Sequence, residues 1–341
     1  MTDTLVFDAA DRLFADQATP ALVTAAENGA WPQGLWQAID EAGFPDALGA
    51  LGDLPDAVAI LRAAGRRAVP LPLAETILAR FALRAAGLTV PAGPIILAPV
   101  ERDDIVNLRR TSDGWHLSGM LRRLPWASGA AGMVVVAGGL AALVSAGQGQ
   151  IRRARNLAGE PRDTVTLDLA LAADAAAPLA ALVDFDLLYC LGALCRAAQM
   201  AGALEAALAL TVQYANDRVQ FGRPIGKFQA IQQQLAQFAE QVAAATVAAT
   251  ASADAVASGG DIFFAAATAK IRAGEAAGRS SDIAHQVHGA IGFTHEHRLH
   301  HLTRRLWSWR DEFGVESEWS IELGRRVASQ GAEAFWPLLT A

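Results

Sequence analysis

The sequence predicts an α+β chain in three parts: an N-terminal helical domain over 1–90, a middle β-domain over 91–175 and a C-terminal helical bundle over 176–341. Three observations predict it. Apolar residues recur at helical spacing near the start, short β-branched runs separated by turns follow, and long Ala/Leu/Gln/Glu segments fill the rest. The order lacks the strand–helix alternation of a parallel α/β sheet. No GxGxxG follows a predicted strand and no GxxxxGK[ST] occurs, so the two common nucleotide-binding loops are absent.

The first part rests on residues 34–43, 56–68 and 73–86. Each has a helical apolar face; Gly43 stops the first, and Pro70 and Pro72 separate the last two. The middle part rests on six short runs beginning at Ile95, Ile105, Trp115, Met133, Ala141 and Thr164, with a turn at Thr111-Ser-Asp-Gly. A small barrel-like domain of about six strands fits them. The third part rests on residues 187–218, 229–258, 261–306 (with a turn near 289–294) and 317–329. Gly259-Gly260 divides two of these segments. Four long helices make a bundle, and its many alanines allow close approach, also between subunits.

The chain has 341 residues, 52% of them hydrophobic, enough for a sizeable core. Its net charge of −7 argues against a nucleic-acid footprint while leaving room for a local phosphate pocket. Lys227 and Lys270 are the only lysines, so 28 − 2 = 26 of the basic residues are arginine. Arginine suits bidentate contact with phosphate, and genomic base composition produces the same bias. Cys190 and Cys195 lie in an apolar stretch and read as inert buried thiols. No basic leader opens the chain, and no uninterrupted apolar run has membrane-spanning length, so a soluble, cytoplasmic protein is expected.

The most informative stretch is Tyr214-Ala-Asn-Asp-Arg-Val-Gln-Phe-Gly-Arg-Pro-Ile-Gly-Lys-Phe-Gln-Ala-Ile-Gln232. A helix ends near Gln220, a turn follows, and the next helix starts near Phe228. Arg218 in the last turn favours the helix dipole. On spacing alone Asp217 and Arg218 read equally as solvated helix-end charges, and Phe221 and Phe228 as core. Downstream stands Gln286-Val-His-Gly-Ala-Ile-Gly-Phe-Thr294. Together these stretches resemble the Arg-x-x-Phe-Gly-x-x-Ile-x-x-Phe-Gln-Ala-Ile-Gln and Gln-x-x-Gly-Gly-x-Gly-Tyr-Thr motifs of the acyl-CoA dehydrogenase family. The separation of the two and the helical–β–helical order also match. The resemblance spans the chain, weakly at first and strongly from Gly202 onward.

The resemblance implies an FAD-dependent acyl-CoA dehydrogenase. A carboxylate takes the α-proton of the thioester and flavin takes the β-hydride, making a Cα–Cβ double bond. It implies that Arg218 reaches the FAD diphosphate, that Phe221 lies near the adenosine, and that Gln229 contacts the cofactor. It also implies that Gln286, Gly289 and Ala290 receive the ADP moiety of a neighbouring subunit, with Ala290 replacing the family's second glycine. The family base stands at one of two positions. Counted without gaps, one falls on Phe313 and the other on Gly192; a one-residue shift makes Glu312 the base, with Asp311 the runner-up. The plain structural alternative pairs both acids with Arg304, Arg305 or Arg310.

The family's Thr-Glu-Pro-Gly loop is not recognisable. Residues 122–127 stand where its Trp-Ile-Thr segment belongs, leaving Trp126 either near flavin or in the core. The chain resembles the short, divergent branch that includes subunits of heteromeric dehydrogenases of steroid and other bulky acyl-CoA thioesters. Implied partners are an acyl-CoA substrate, an electron-transfer flavoprotein or similar acceptor, and a homo-oligomer or a heterotetramer with a related chain. The alternative to a self-sufficient enzyme is a non-catalytic or half-site subunit. Six of seven histidines crowd residues 285–301, and His297 and His301 share a helix face. Arg298 replaces the glutamate of HExxH, so no metal is expected and a metal-dependent hydrolase is a distant third reading.

Overall fold

The computed structural model describes residues 2–333 together with 336 and 337. Five helices open it: α1 (Thr2–Gln17), α2 (Pro20–Glu27), α3 (Gln33–Glu41), α4 (Leu54–Arg66) and α5 (Leu73–Ala85). The first two were only broadly anticipated as helical. Thr19 caps α2 through its hydroxyl, and Pro20 occupies the first helical position, where no amide bond is lost.

Eight strands follow: β1 (Ile95–Ala98), β2 (Val106–Arg110), β3 (Trp115–Pro125), β4 (Gly132–Ala137), β5 (Leu140–Ser145), β6 (Gln150–Arg152), β7 (Arg162–Leu171) and β8 (Ala176–Pro178). They form two four-stranded sheets, ordered β1-β4-β5-β8 and β2-β3-β7-β6. The last strand runs past the expected boundary at 175. On β4, Met133 and Val135 pack against Leu117, Leu121, Val165 and Leu167 of the second sheet. Val134 and Val136 join the helical core instead. A sheet covered on both faces thus gives the near-continuous apolar strand at residues 133–137.

The C-terminal part holds α6 (Phe185–Asp217), α7 (Gln229–Ala257), α8 (Ile262–His288), α9 (Leu299–Arg310) and α10 (Glu316–Gln330). The segment expected over 261–306 is two helices, because Gly289 takes a positive φ and a 3₁₀ turn over Gly289–Phe293 redirects the chain. α6 is the hub. By length and composition it could cross a membrane, but its apolar stretch is wholly buried in protein. A Cβ at Gly202 would meet the Arg62 carbonyl at 1.8 Å, so α4 and α6 touch backbone to backbone.

Candidate active site and cofactor corner

One face of α6 carries Tyr189, Gly192, Arg196 and Gln199, at spacings of three, four and three residues. This face meets α5 and the loop 311–314 between α9 and α10. Gly192 and Phe313, the two positions expected for the base, stand against each other. A Cβ on Gly192 would lie 2.3 Å from the Phe313 ring. Phe313 is buried, edge-on to Tyr189 with centroids 5.7 Å apart, and Tyr189 stacks on Trp319 at 6.0 Å. An aromatic plug therefore fills the space where a carboxylate would face a substrate. Lys270, fully buried on α8, locks the loop by donating to the carbonyls of Arg310 and Gly314. Burial pushes its pKa down to about 8.

Glu312 points the other way. Arg162 Nε donates to its Oε1 and Arg196 Nε to its Oε2, each at 2.6 Å. Burial alone would raise its pKa, but the two guanidiniums pull it down to about 2. A carboxylate with both oxygens bridged and so low a pKa is a poor proton acceptor at neutral pH. The expectation that Glu312 is the base therefore meets a physical obstacle: it is half of two buried ion pairs. Asp311 is exposed and gives no better candidate.

The ion pairs continue in both directions. Arg196 reaches Glu75 of α5 and Gln199. Arg162 meets Glu160 at 3.1 Å, and Trp309 donates to the same Glu160 oxygen at 3.1 Å. Arg305 lies 3.2 Å from Glu160 and 2.7 Å from Glu27. Glu27 also takes Arg304 and His301. Glu75, Glu312, Glu160 and Glu27 thus alternate with Arg196, Arg162, Arg305 and Arg304, tying all three parts of the chain together. Sequence reasoning missed Arg196, Arg162 and Glu75. The available signal was Arg196 and Gln199 standing inside an otherwise apolar helix.

The cofactor motifs lie at the opposite end of α6. Tyr214 stacks on His288 with centroids 4.6 Å apart, which brings the C-terminal ends of α6 and α8 together. α6 stops at Asp217, earlier than expected, so Arg218 is an extended C-cap residue rather than part of the last turn. A two-residue ribbon then pairs Val219–Gln220 with Arg223–Pro224, and a 3₁₀ turn leads into α7 at Gln229. Arg218 is exposed and pairs with no acid among the described residues. Phe221, at the ribbon tip, is 93% exposed with φ +50°. Gln229, Gln286, Gly289 and Ala290 are all exposed as well. Gly289 has φ +63° and open space where a Cβ would stand. The first amides of α7 have no side-chain cap. A free guanidinium, an uncapped helix N-terminus and an open glycine fit an anionic diphosphate. These groups face outward, away from this chain's own cleft.

The flavin-ring side fits poorly. The loop after β1 begins with a cis Ala98–Pro99 bond and carries no Thr-Glu-Pro-Gly sequence. Trp126 is buried, with the Arg162 guanidinium 5.0 Å from its ring centre. An open cavity of about 1130 Å³ remains beside the plug, between the start of α6, the α7–α8 turn and α10. Cys190 lines it, but burial holds both Cys190 and Cys195 near pKa 12. Among the histidines, Glu27, His300 and His301 come close enough to hold an ion. Arg304 and Arg305 already share Glu27, and burial with the neighbouring positive charges takes His300 down to about 4. That surrounding suits no cation.

Comparison with known proteins agrees with this geometry. Residues 191–310 match the acyl-CoA dehydrogenase C-terminal domain. The chain is 31% identical over 303 residues to acyl-CoA dehydrogenase IpdE2 of Mycobacterium tuberculosis, covering 86% of this chain and 87% of that one. Its fold is similar to the ChsE4–ChsE5 complex of Mycobacterium tuberculosis, with TM-score 0.85, 24% identity and coverage of 97% and 98%. The Tcur3481–Tcur3483 steroid dehydrogenase variant gives TM-score 0.85, 26% identity and coverage of 96% and 98%. With a relative above 30% identity along most of both lengths, and the motif residues of both cofactor segments gathered at one corner, the chain belongs to the acyl-CoA dehydrogenase family.

Proposed function

We propose that the chain works as one subunit of an FAD-dependent acyl-CoA dehydrogenase that desaturates the Cα–Cβ bond of an acyl-CoA thioester. In this reading a related second chain carries the base and most of the substrate contacts, and the assembly is a heterotetramer or similar oligomer in the cytoplasm. The observation that carries the reading is Phe313 seated on Gly192, which leaves neither family position with a carboxylate. The Glu75–Arg196–Glu312–Arg162 chain beside it supports the same conclusion, because it turns a cleft into cross-linked core.

Bound FAD would supply the acceptor for the β-hydride. This chain's residues would do four things for it. Arg218 would hold the diphosphate of a flavin seated mainly in the partner. Phe221 would cover the adenosine, and Gln229 would bond at the start of α7. The Gln286–Ala290 segment would take the ADP portion. Exposed Phe221, Phe293, Val219 and Ile291 would be covered on assembly. So would the exposed stripe Ala236, Ala239, Ala243, Val247 and Ala251 on α7. The steroid dehydrogenase named above favours a bulky, ring-bearing acyl group, and an electron-transfer flavoprotein would reoxidise the flavin.

The test is to purify the chain alone and together with a related acyl-CoA dehydrogenase chain. Alone it should hold well under one FAD per chain and give no turnover. The mixture should hold flavin that an acyl-CoA bleaches, and Glu312→Gln should leave that bleaching rate within twofold. A chain that alone binds one FAD, and loses bleaching in Glu312→Gln, would restore Glu312 as base and overturn the half-site reading.

A further inference from the structure

A second groove lies away from the plugged cleft and adjoins the corner that holds Tyr214 and Asp217. Its walls come from α1, α2, α4, the later turns of α6 and the start of α9, and its volume is about 200 Å³. The floor is apolar, with Ala18, Val23, Leu210 and Leu302 contributing. The rim is basic: Arg66 and Arg67 from the end of α4 face Arg298 at the start of α9. Arg66 and Arg67 share one acid, Asp11, at 3.9 and 2.7 Å. Arg298 forms no ion pair among the described residues. Partial burial, and after it the charge of Arg67, push its pKa down. His301, also on the lining, spends its ring nitrogens on Glu27 and Thr24. Three guanidiniums thus meet one carboxylate around an apolar hollow.

Arg298 is exposed and holds no acid among the described residues, so its guanidinium is available to an anion entering the groove. While Glu27 behind His301 is taken up by its own ion pairs, two further acids, Asp217 and Glu296, line a neighbouring cavity that shares Pro20, Leu210 and Arg298 with this one. They would repel an anion there and keep its head at the arginine rim. At about 30 Å³ per heavy-atom group, the share of one liquid water, the groove holds on the order of seven groups.

We propose that this groove binds an amphipathic anion, a free carboxylate with an apolar tail of roughly six to eight carbons, independently of the acyl-CoA and flavin sites. The carboxylate sits between Arg298 and the Arg66–Arg67 pair, and the tail lies on Val23, Leu210 and Leu302. Neither bare phosphate nor a neutral alcohol of the same length satisfies both halves of the groove.

Titration calorimetry of the purified chain with octanoate, inorganic phosphate and octanol tests this. Octanoate should bind with a stoichiometry near one, and the other two should bind at least tenfold more weakly. Arg298→Gln, which removes an unpaired exposed side chain, should weaken octanoate at least tenfold without moving the melting temperature. Ala209→Phe, at an exposed position on the groove wall, should weaken it as well. Absence of octanoate binding, or binding that both variants leave unchanged, would overturn the proposal. Phosphate binding as tightly as octanoate would overturn the carboxylate assignment.

Discussion

The two ends of α6 follow opposite rules. Near its start the helix presents Gly192 and Arg196 to a space that is completely filled, by an aromatic ring and by paired charges. At its end it presents Arg218 to solvent next to the exposed Phe221 ribbon, with no acid paired to it among the described residues. In a chain that bound and oxidised its own substrate, the first region would be a cavity with a poised acid. Here that region is packed with the Phe313 ring and paired charges, while the surface around Phe221 and Gly289 stays open. Under the proposed function, residues at the two ends of α6 can therefore be separated by mutation.

The largest expected effect is in the filled end. Arg196→Met leaves Glu75 buried without its guanidinium and Glu312 with Arg162 alone, which should destabilise the chain by about 3–5 kcal/mol in urea unfolding. Arg196→Met combined with Glu312→Gln should cost clearly less than the sum of the two single changes, because the pair is coupled. Additive losses would mean that the ion chain is not cooperative.

Gly192→Ala comes next. Its methyl would overlap the Phe313 ring, so about 1–3 kcal/mol should be lost, and Phe313→Ala should relieve part of it. If Gly192→Ala is neutral, the plug is loose and the cleft can open.

Acid should act on the same region. Glu312 and Glu27 both titrate near 2 in the folded chain, below the ordinary 4.5. Their stabilisation is present above the ordinary carboxylate range and is lost as pH falls from 4.5 toward 2. Melting temperature should drop steeply across that window, and Glu312→Gln should flatten the drop. A Glu312→Gln chain with an unchanged pH profile would show that Glu312 is not held by its arginines.

At the open end the effects on stability are small and those on the cofactor large. Arg218→Gln should change the stability of the isolated chain by no more than about 0.5 kcal/mol. FAD retention in the assembled enzyme should fall at least tenfold. Phe221→Gly should raise the isolated chain's stability by up to about 1 kcal/mol, since it removes a non-glycine residue at positive φ that packs against little. Loss of stability in either variant would mean that the corner is built for this chain rather than for a partner.

Much of this was legible in the residues. Helical and strand periodicity located the three parts, and the Arg218–Gln232 and Gln286–Thr294 stretches, singled out by residue identity, lie at two helix ends that the fold brings together. The spacing also put Phe313 and Gly192 at the base positions. What the spacing could not tell was whether a one-residue shift rescued Glu312. That depended on Arg162 and Arg196, which lie 150 and 116 residues away in sequence. The ion chain was hidden for the same reason: Arg196 inside an apolar helix signals a buried charge, but its partners Glu75 and Glu312 lie far away in sequence.

The sequence by itself determined the order of helical, β and helical parts, the motif residues and the absence of a carboxylate at 192 and 313. These follow from local periodicity and residue identity. Only the tertiary structure decided that Gly192 and Phe313 touch, that Glu312 is consumed by two guanidiniums, and that Arg218 is exposed and meets no acid among the described residues. Those outcomes depend on which buried charges find partners across long separations, and desolvation forces that choice only once the chain has folded.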